Sequence, residues 1–327
     1  MRAYVQTGYG SADRLRVHEL DRPEPTGDEV LVRVRATSVN PYDWHHLRGE
    51  PVVARLLPDG PGLRGPRFPV LGCDVAGQVE AVGPAVTGFR PGDDVFGLLD
   101  GGGFGEYVSA RAGRFARMPR NLSYPRAAAV PMAAVTALLA LRAAGTSGPG
   151  RVLINGASGG VGTFAVQIAR AYGATVTAVV GAHNAALATS LGAADVIDYR
   201  TTDFTRSGRR WDVVLDVAGN HPGRAYRRVL APGGVVVLVG GPAGRWVQPA
   251  GHVFATLAAG AFAPGRLRLA DAVRCPDKRA CLDEITALIE DGRVSPVIDR
   301  EFPFDQLAAA VDYQEQGHAA GKVVVSR

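Results

Sequence analysis

The stretch Val152-Leu153-Ile154-Asn155-Gly156-Ala157-Ser158-Gly159-Gly160-Val161-Gly162 decides how this chain reads. An apolar run of strand length enters a turn with glycines at 156, 159 and 162, and a helical pattern over 160–172 leaves it. Glycines let the backbone turn tightly and approach a pyrophosphate. The first turn of the helix adds unpaired N–H groups and the positive end of the helix dipole. The spacing is GxxGxxG rather than the commoner GxGxxG, but the physics is the same. A glycine-rich turn alone is weak evidence. The strand before it, the helix after it and the βαβ continuation make it a dinucleotide site. Its expected contacts are Gly156, Ser158, Gly159, Gly160, Val161 and Gly162.

Working outward, apolar segments at 151–155, 175–180, 196–198, 212–216 and 235–240 alternate with helical segments at 160–172, 184–191 and 222–230. Val/Ile/Leu strands alternating with helices predict an α/β, doubly wound parallel sheet covered on both faces. Ligands of such sheets bind at the carboxyl ends of the strands, which points to Gly181, Ala218, Val239 and Gly240. An NAD site carries an acid about 20 residues past the glycines for the ribose 2′-OH. No Asp or Glu occurs between Gly162 and Asp195, so nothing repels a 2′-phosphate. His183, Asn184, Tyr199 and Arg200 supply donors or charge. The expected cofactor is therefore NADP(H).

The first hundred residues have another texture. Residues 29–36, 74–82 and 94–99 read as half-buried strands between Gly/Pro turns. Residues 50–68 read as a long loop. Residues 124–144 are Ala-rich and helical. After Gly265 the βα alternation loosens into a helix (277–291), a strand (297–302), a short helix (304–316) and a last strand (322–325).

The chain has 327 residues and a net charge of +5. Of its 36 cations only Lys278 and Lys322 are lysines. The arginines are scattered and no basic run interleaves with aromatics, so no nucleic-acid partner is expected. Three cysteines with no CxxC exclude a disulfide framework or zinc ribbon. No signal-peptide pattern follows Met1, and the apolar runs 127–141 and 253–263 are too short to span a bilayer. A cytoplasmic protein with no membrane partner is expected.

Several ordered pieces carry a resemblance across nearly the whole chain. They are Asn40-Pro41 with Asp43; Val70-Leu71-Gly72-Cys73-Asp74-Val75-Ala76-Gly77; Gly88-Phe89-Arg90-Pro91-Gly92-Asp93-Asp94-Val95; and Gly105-Glu106-Tyr107-Val108. Thr136-Ala137, the glycine motif, Leu191-Gly192-Ala193 with Ile197-Asp198-Tyr199, and Gly321-Lys322-Val323-Val324 complete the set. With these the chain resembles the medium-chain dehydrogenase/reductase superfamily, and within it the zinc-independent quinone oxidoreductase group. The resemblance implies a GroES-like β-barrel catalytic domain (1–122 plus 265–327) and a Rossmann NADP(H)-binding domain (123–264). It also implies a cleft between them and a homodimer. Zinc-dependent relatives carry a Cys in the segment matching 37–43 and a His at the position of Cys73. The first segment here has no Cys, and the structural zinc lobe is replaced by the glycine-rich 99–104, so no metal is expected.

By the same resemblance Asn40 faces the nicotinamide, His45 stands where relatives carry Tyr or Lys, and Thr136 and Lys322 lie toward the cofactor. Asn40, His45 and Tyr42 are the candidate catalytic residues, with Tyr42 weighed also as packing. A histidine suits proton transfer near neutral pH. His46 is set aside, because neighbours on an extended segment face opposite ways. For Lys322 the alternative is a surface strand residue. Without a Lewis acid, hydride addition to a quinone or an α,β-unsaturated carbonyl is easier than reduction of a simple ketone, since the product anion spreads its charge. The expected activity is NADPH-dependent reduction of a quinone or enone. The alternatives are a zinc-type alcohol dehydrogenase with an irregular ligand set and a non-catalytic NADPH-binding sensor or RNA-binding protein.

Overall fold

Two short strands, β1 (Arg2–Gln6) and β2 (Leu15–Glu19), pair antiparallel at the start of the computed structural model. The structure describes residues 1–56, 60–145, 150–240, 267–270, 272 and 275–327. The chain forms two units. One comprises Met1–Val135, Cys275–Glu290 and Pro296–Arg327, and the other Thr136–Arg274 and Asp291–Ser295. The apolar run 253–263 and the expected boundary at 264/265 lie outside the described residues.

In the first unit the valine alternation after Glu29 becomes β3 (Glu29–Val39), followed by α1 (Pro41–Arg48), β4 (Asp74–Val82), β5 (Asp94–Leu98), β6 (Tyr107–Arg111) and β7 (Phe115–Arg117). β3 pairs with β4 along one edge. Along the other it pairs with β6 through Glu29–Arg33 and with the C-terminal strand through Ala36–Val39. Register shifts at Leu31/Val32 and Val34/Ala36 mark bulges, which increase strand twist. Val30, Val32, Val34, Val75, Val95 and Phe115 fill one core beneath this sheet.

The Ala-rich segment splits into α2 (Tyr124–Ala128) and α3 (Pro131–Ala143). The break falls just before Pro131, whose ring disfavours helical backbone in the preceding residue.

The second unit holds β8 (Arg151–Asn155), α4 (Gly160–Ala171), β9 (Thr175–Val180), α5 (Ala185–Ser190), β10 (Asp195–Asp198), β11 (Trp211–Asp216), α6 (Gly223–Tyr226), β12 (Leu230–Leu238) and β13 (Leu267–Leu269). Its sheet is parallel throughout, in the order β10-β9-β8-β11-β12-β13. The chain winds outward from β8 in both directions. This is the doubly wound topology, with its ligand crevice at the carboxyl ends beside β8. The helix expected over 222–230 shrinks to the four residues of α6. Leu230 instead pairs with Trp211 and opens β12, because both side chains are buried in the sheet core.

The tail returns to the first unit as α7 (Lys278–Glu290), β14 (Ile298–Pro303), α8 (Leu307–Glu315) and β15 (Lys322–Ser326). β15 lies between β14 and β3 in the seven-stranded sheet. No helix among the described residues is long and apolar enough to cross a membrane.

Candidate functional site

The glycine turn sits where β8 meets α4. Gly156 adopts φ +87°, a left-handed conformation that suits glycine. A Cβ on Gly162 would lie 2.2 Å from the Gly156 carbonyl oxygen and 2.6 Å from Ala157 Cα, so only glycine permits this approach of helix to turn. Gly159 precedes α4 in extended conformation with no side chain to cap it. The N–H groups of Gly160, Val161 and Gly162 therefore open the helix toward a ligand, as an anion site requires.

The neighbouring strand ends converge on this turn. A Cβ on Gly156 would meet Ala218 at 3.2–3.3 Å, and one on Gly240 would meet the Val217 carbonyl at 2.4 Å. Val239 N donates to the Asp216 carbonyl at 2.9 Å. Ser158 is half-buried, and Thr136 is buried on α3. At the ends of β9 and β10, Gly181 brings two rings together: its Cβ position lies 3.0 Å from His183 Cε1 and 3.5 Å from Tyr199 Cε1. His183 is exposed, Tyr199 is 51% exposed and Asn184 is half-buried. Asp198, the acid nearest to Tyr199, accepts from Arg200 N at 3.0 Å, so it is engaged in its own turn.

Sequence reasoning passed over the support beneath this cradle. Asp216, fully buried at the end of β11, accepts from Asn155 Nδ2 (2.8 Å), Gly219 N (2.9 Å) and the Tyr226 hydroxyl. Burial, with the Asp216 charge second, raises the Tyr226 pKa and keeps that hydroxyl a donor. The lone Asn155 ahead of the first glycine was the available signal.

The second cluster lies wholly within the first unit. Asp74, 0% exposed, accepts from Ser38 Oγ (2.7 Å), Asn40 Nδ2 (2.9 Å) and Lys322 Nζ (3.1 Å) on one oxygen, and from Met132 N (2.8 Å) on the other. Lys322 Nζ also donates to Asn40 Oδ1. Lys322 is 3% exposed, so it is not a surface strand residue. Its ammonium belongs to this cluster. Asn40 has both ends of its amide engaged, with Cys73 Sγ a further 3.3 Å neighbour of its Nδ2. Asn40 thus acts as a structural joint of the cluster.

Residues 41–48 are helical, not extended. Pro41 pre-sets the first helical φ, and Asp43 Oδ2 accepts from Asn40 N at 2.8 Å to close the first turn. The extended-segment argument that separated His45 from His46 therefore fails. His46 is buried, and its Nδ1 bonds the Tyr42 carbonyl at 2.9 Å, four residues back. His45 Nδ1 bonds the Glu50 carbonyl at 2.9 Å. A carbonyl only accepts, so Nδ1 carries the hydrogen and Nε2 is an acceptor. Burial drives the His45 pKa down to about 4, so the ring is neutral near pH 7. It cannot deliver a proton there as the sequence suggested. Tyr42 packs against His46 with ring centroids 4.0 Å apart and the planes tilted by 38°. Burial raises its pKa, and its hydroxyl bonds no other described residue. Tyr42 is therefore a neutral donor with its hydrogen uncommitted.

The side chains from which a metal site would be built are each already engaged or disfavoured as ligands. Asp43 accepts from two backbone N–H groups, Asn40 and Gly72, and burial raises its pKa to about 7. Burial also pushes the Cys73 thiol up, disfavouring the thiolate a metal needs. Asp74 is taken by Lys322, and a fixed ammonium stands within the cluster. No group of three His, Cys, Asp or Glu side chains among the described residues is placed to hold a metal. These residues do not fit zinc.

A family model described as an alcohol dehydrogenase GroES-like domain matches residues 26–120. One described as a zinc-binding dehydrogenase matches residues 191–325. The chain is 33% identical over 341 residues to the chloroplast envelope quinone oxidoreductase homolog of Arabidopsis thaliana, covering 99% of this chain and 98% of that protein. It is 34% identical over 340 residues to the 2-methylene-furan-3-one reductase of Solanum lycopersicum, covering 99% and 79% respectively. The solved structure of the quinone oxidoreductase from Coxiella burnetii superposes with a TM-score of 0.83 at 27% identity, covering 100% of this chain and 99% of that one. With a glycine cradle on a doubly wound sheet in one unit and a GroES-like domain in the other, the chain belongs to the medium-chain dehydrogenase/reductase superfamily, in its quinone oxidoreductase-like group, and is an oxidoreductase that uses a nicotinamide cofactor.

Proposed function

We propose that this protein transfers a hydride from NADPH to a quinone or an α,β-unsaturated carbonyl without a metal ion. The observation that carries the reading is the buried Lys322–Asp74–Asn40 cluster. It places a fixed ammonium among the residue types from which a metal site would be built, and leaves no ligand set. Chemistry that needs no Lewis acid fits such a site, because the developing oxyanion of a conjugated acceptor is delocalised and needs only hydrogen-bond donors. Relatives named as a quinone oxidoreductase homolog and a 2-methylene-furan-3-one reductase support the acceptor class.

The nicotinamide supplies the hydride when bound. The residues fit that cofactor: Gly156, Gly159 and Gly162 clear the backbone for its pyrophosphate, and Ala218, Val239 and Gly240 line the adjoining strand ends. For the 2′-phosphate, His183, Asn184 and Tyr199 offer donors, and the carboxylate next to them, Asp198, is engaged by Arg200 N. Tyr42 takes the donor role toward the acceptor's carbonyl oxygen, since Asn40 is committed and His45 Nε2 only accepts. The proton that completes the reduction then comes from solvent. A homodimer is the assembly we expect.

The test is NADPH oxidation with quinones and enones after exhaustive chelation, with metal analysis alongside. Turnover that survives chelation is expected. Tyr42→Phe is expected to lower kcat by about 10- to 100-fold with the NADPH KM unchanged, the size of losing one transition-state donor. NADPH binding with no turnover of any acceptor overturns the reading.

A further inference from the structure

Cys275 and Cys281 are members of neither cluster described above. Their sulfurs are 3.6 Å apart, and both are thiols. Cys281 is buried in the first turn of α7, while Cys275 is half-buried in the non-helical residues that lead into it. Between them in sequence stands Lys278, one of the two lysines of the chain and 3% exposed. Its ammonium pairs with Asp100 at 3.7 Å, while burial, with the Arg114 charge second, lowers its pKa. The half-buried Cys275 is the thiol an external disulfide can reach, and the buried Cys281 sulfur in contact with it is placed to resolve the adduct.

We propose that Cys275 and Cys281 form a reversible redox site that reacts with oxidised low-molecular-weight thiols. The Cys275 thiolate attacks one sulfur of the external disulfide. This forms a mixed disulfide on Cys275 and expels one thiolate. Cys281 gives up its proton to that thiolate and attacks Cys275 Sγ, expelling the second. Two protein thiols are oxidised by two electrons, and the external disulfide is reduced to two thiols. Closing from 3.6 Å to a bond of about 2.05 Å takes rotation of the two side chains and a small shift of the residues before α7. The third cysteine, Cys73, is fully buried with Asn40 Nδ2 at 3.3 Å, and it stays reduced in the folded protein. The site is independent of the acceptor the enzyme reduces.

The full-length protein is equilibrated with oxidised and reduced glutathione at a series of ratios, denatured, alkylated and mapped as peptides without reduction. The expected result is loss of two of the three alkylatable thiols, a linked Cys275–Cys281 peptide, and full recovery with dithiothreitol. In Cys281→Ser, Cys275 is expected to remain as a glutathione adduct. In Cys275→Ala, neither adduct nor bond is expected. A persistent glutathione adduct on the unsubstituted protein, a bond involving Cys73, or three thiols surviving at every ratio would each overturn the proposal.

Discussion

The glycine cradle after β8 and the polar cluster around Asp74 are built on opposite plans. The cradle is made of backbone, drawn mostly from one contiguous stretch, and it depends on side chains being absent. The Asp74 cluster is made of side chains, drawn from residues 38–43, 72–74 and 322, and it depends on buried charges being paired. A site of the first kind fails when an atom is added. A site of the second kind fails when an atom is removed.

The largest expected effect follows from that asymmetry. Lys322→Met leaves Asp74 charged and buried without its cation, which costs about 3–5 kcal/mol of stability. The double variant Lys322→Met/Asp74→Asn should recover much of this loss in chemical denaturation. A single variant as stable as the parent would show that the ammonium does not hold the cluster.

His45 comes next. Its folded pKa, about 4, lies below the ordinary 6.5, so the unfolded chain takes up the proton first. The associated stability is complete above pH 6.5 and is lost as the pH falls toward 4. It amounts to about 3 kcal/mol for that shift. Asp43 works against it, since its raised pKa makes the folded state bind the extra proton between its ordinary value and about 7. The difference between His45→Gln and the parent isolates the histidine. That difference should change by a few kcal/mol between pH 7 and pH 4. A constant difference would show that His45 is not held neutral by burial.

In the cradle, Gly162→Ala adds the forbidden atom. Overpacking against backbone should cost about 1–3 kcal/mol, and NADPH affinity should fall by at least about tenfold, read by titration. Smallest are the exposed rings at the ends of β9 and β10. Replacing His183 and Tyr199 together by alanine should lower the ratio of NADPH to NADH affinity by about fivefold to tenfold, in line with loss of one or two exposed donors. An unchanged ratio would move the 2′-phosphate site elsewhere.

Legibility followed the same division. The parallel sheet was readable because buried strands must be apolar throughout, and β8 and β9 begin and end at the residues expected from pattern alone. The glycine turn was readable because a contiguous motif carries its own geometry. The helix at 41–48 was missed, although Asn40, Pro41 and Asp43 are a start signal, because the strand pattern before it was carried too far. Asp216 was noticed only as a strand end, and Asp74 only as the residue after Cys73. Neither shows in sequence how many donors converge on it.

By itself, then, the sequence determined where the glycine turn falls, which runs are buried on both faces and where a helix opens with unpaired N–H groups, because these depend on residues near one another in the chain. Only the tertiary structure decided that Lys322 pairs with Asp74, that Asn40 is spent within the cluster, and that His45 is neutral while Tyr42 keeps its hydrogen. Each of those outcomes depends on burial and on a partner supplied by a distant segment, and solvation and Coulomb energies follow distance in space rather than in sequence.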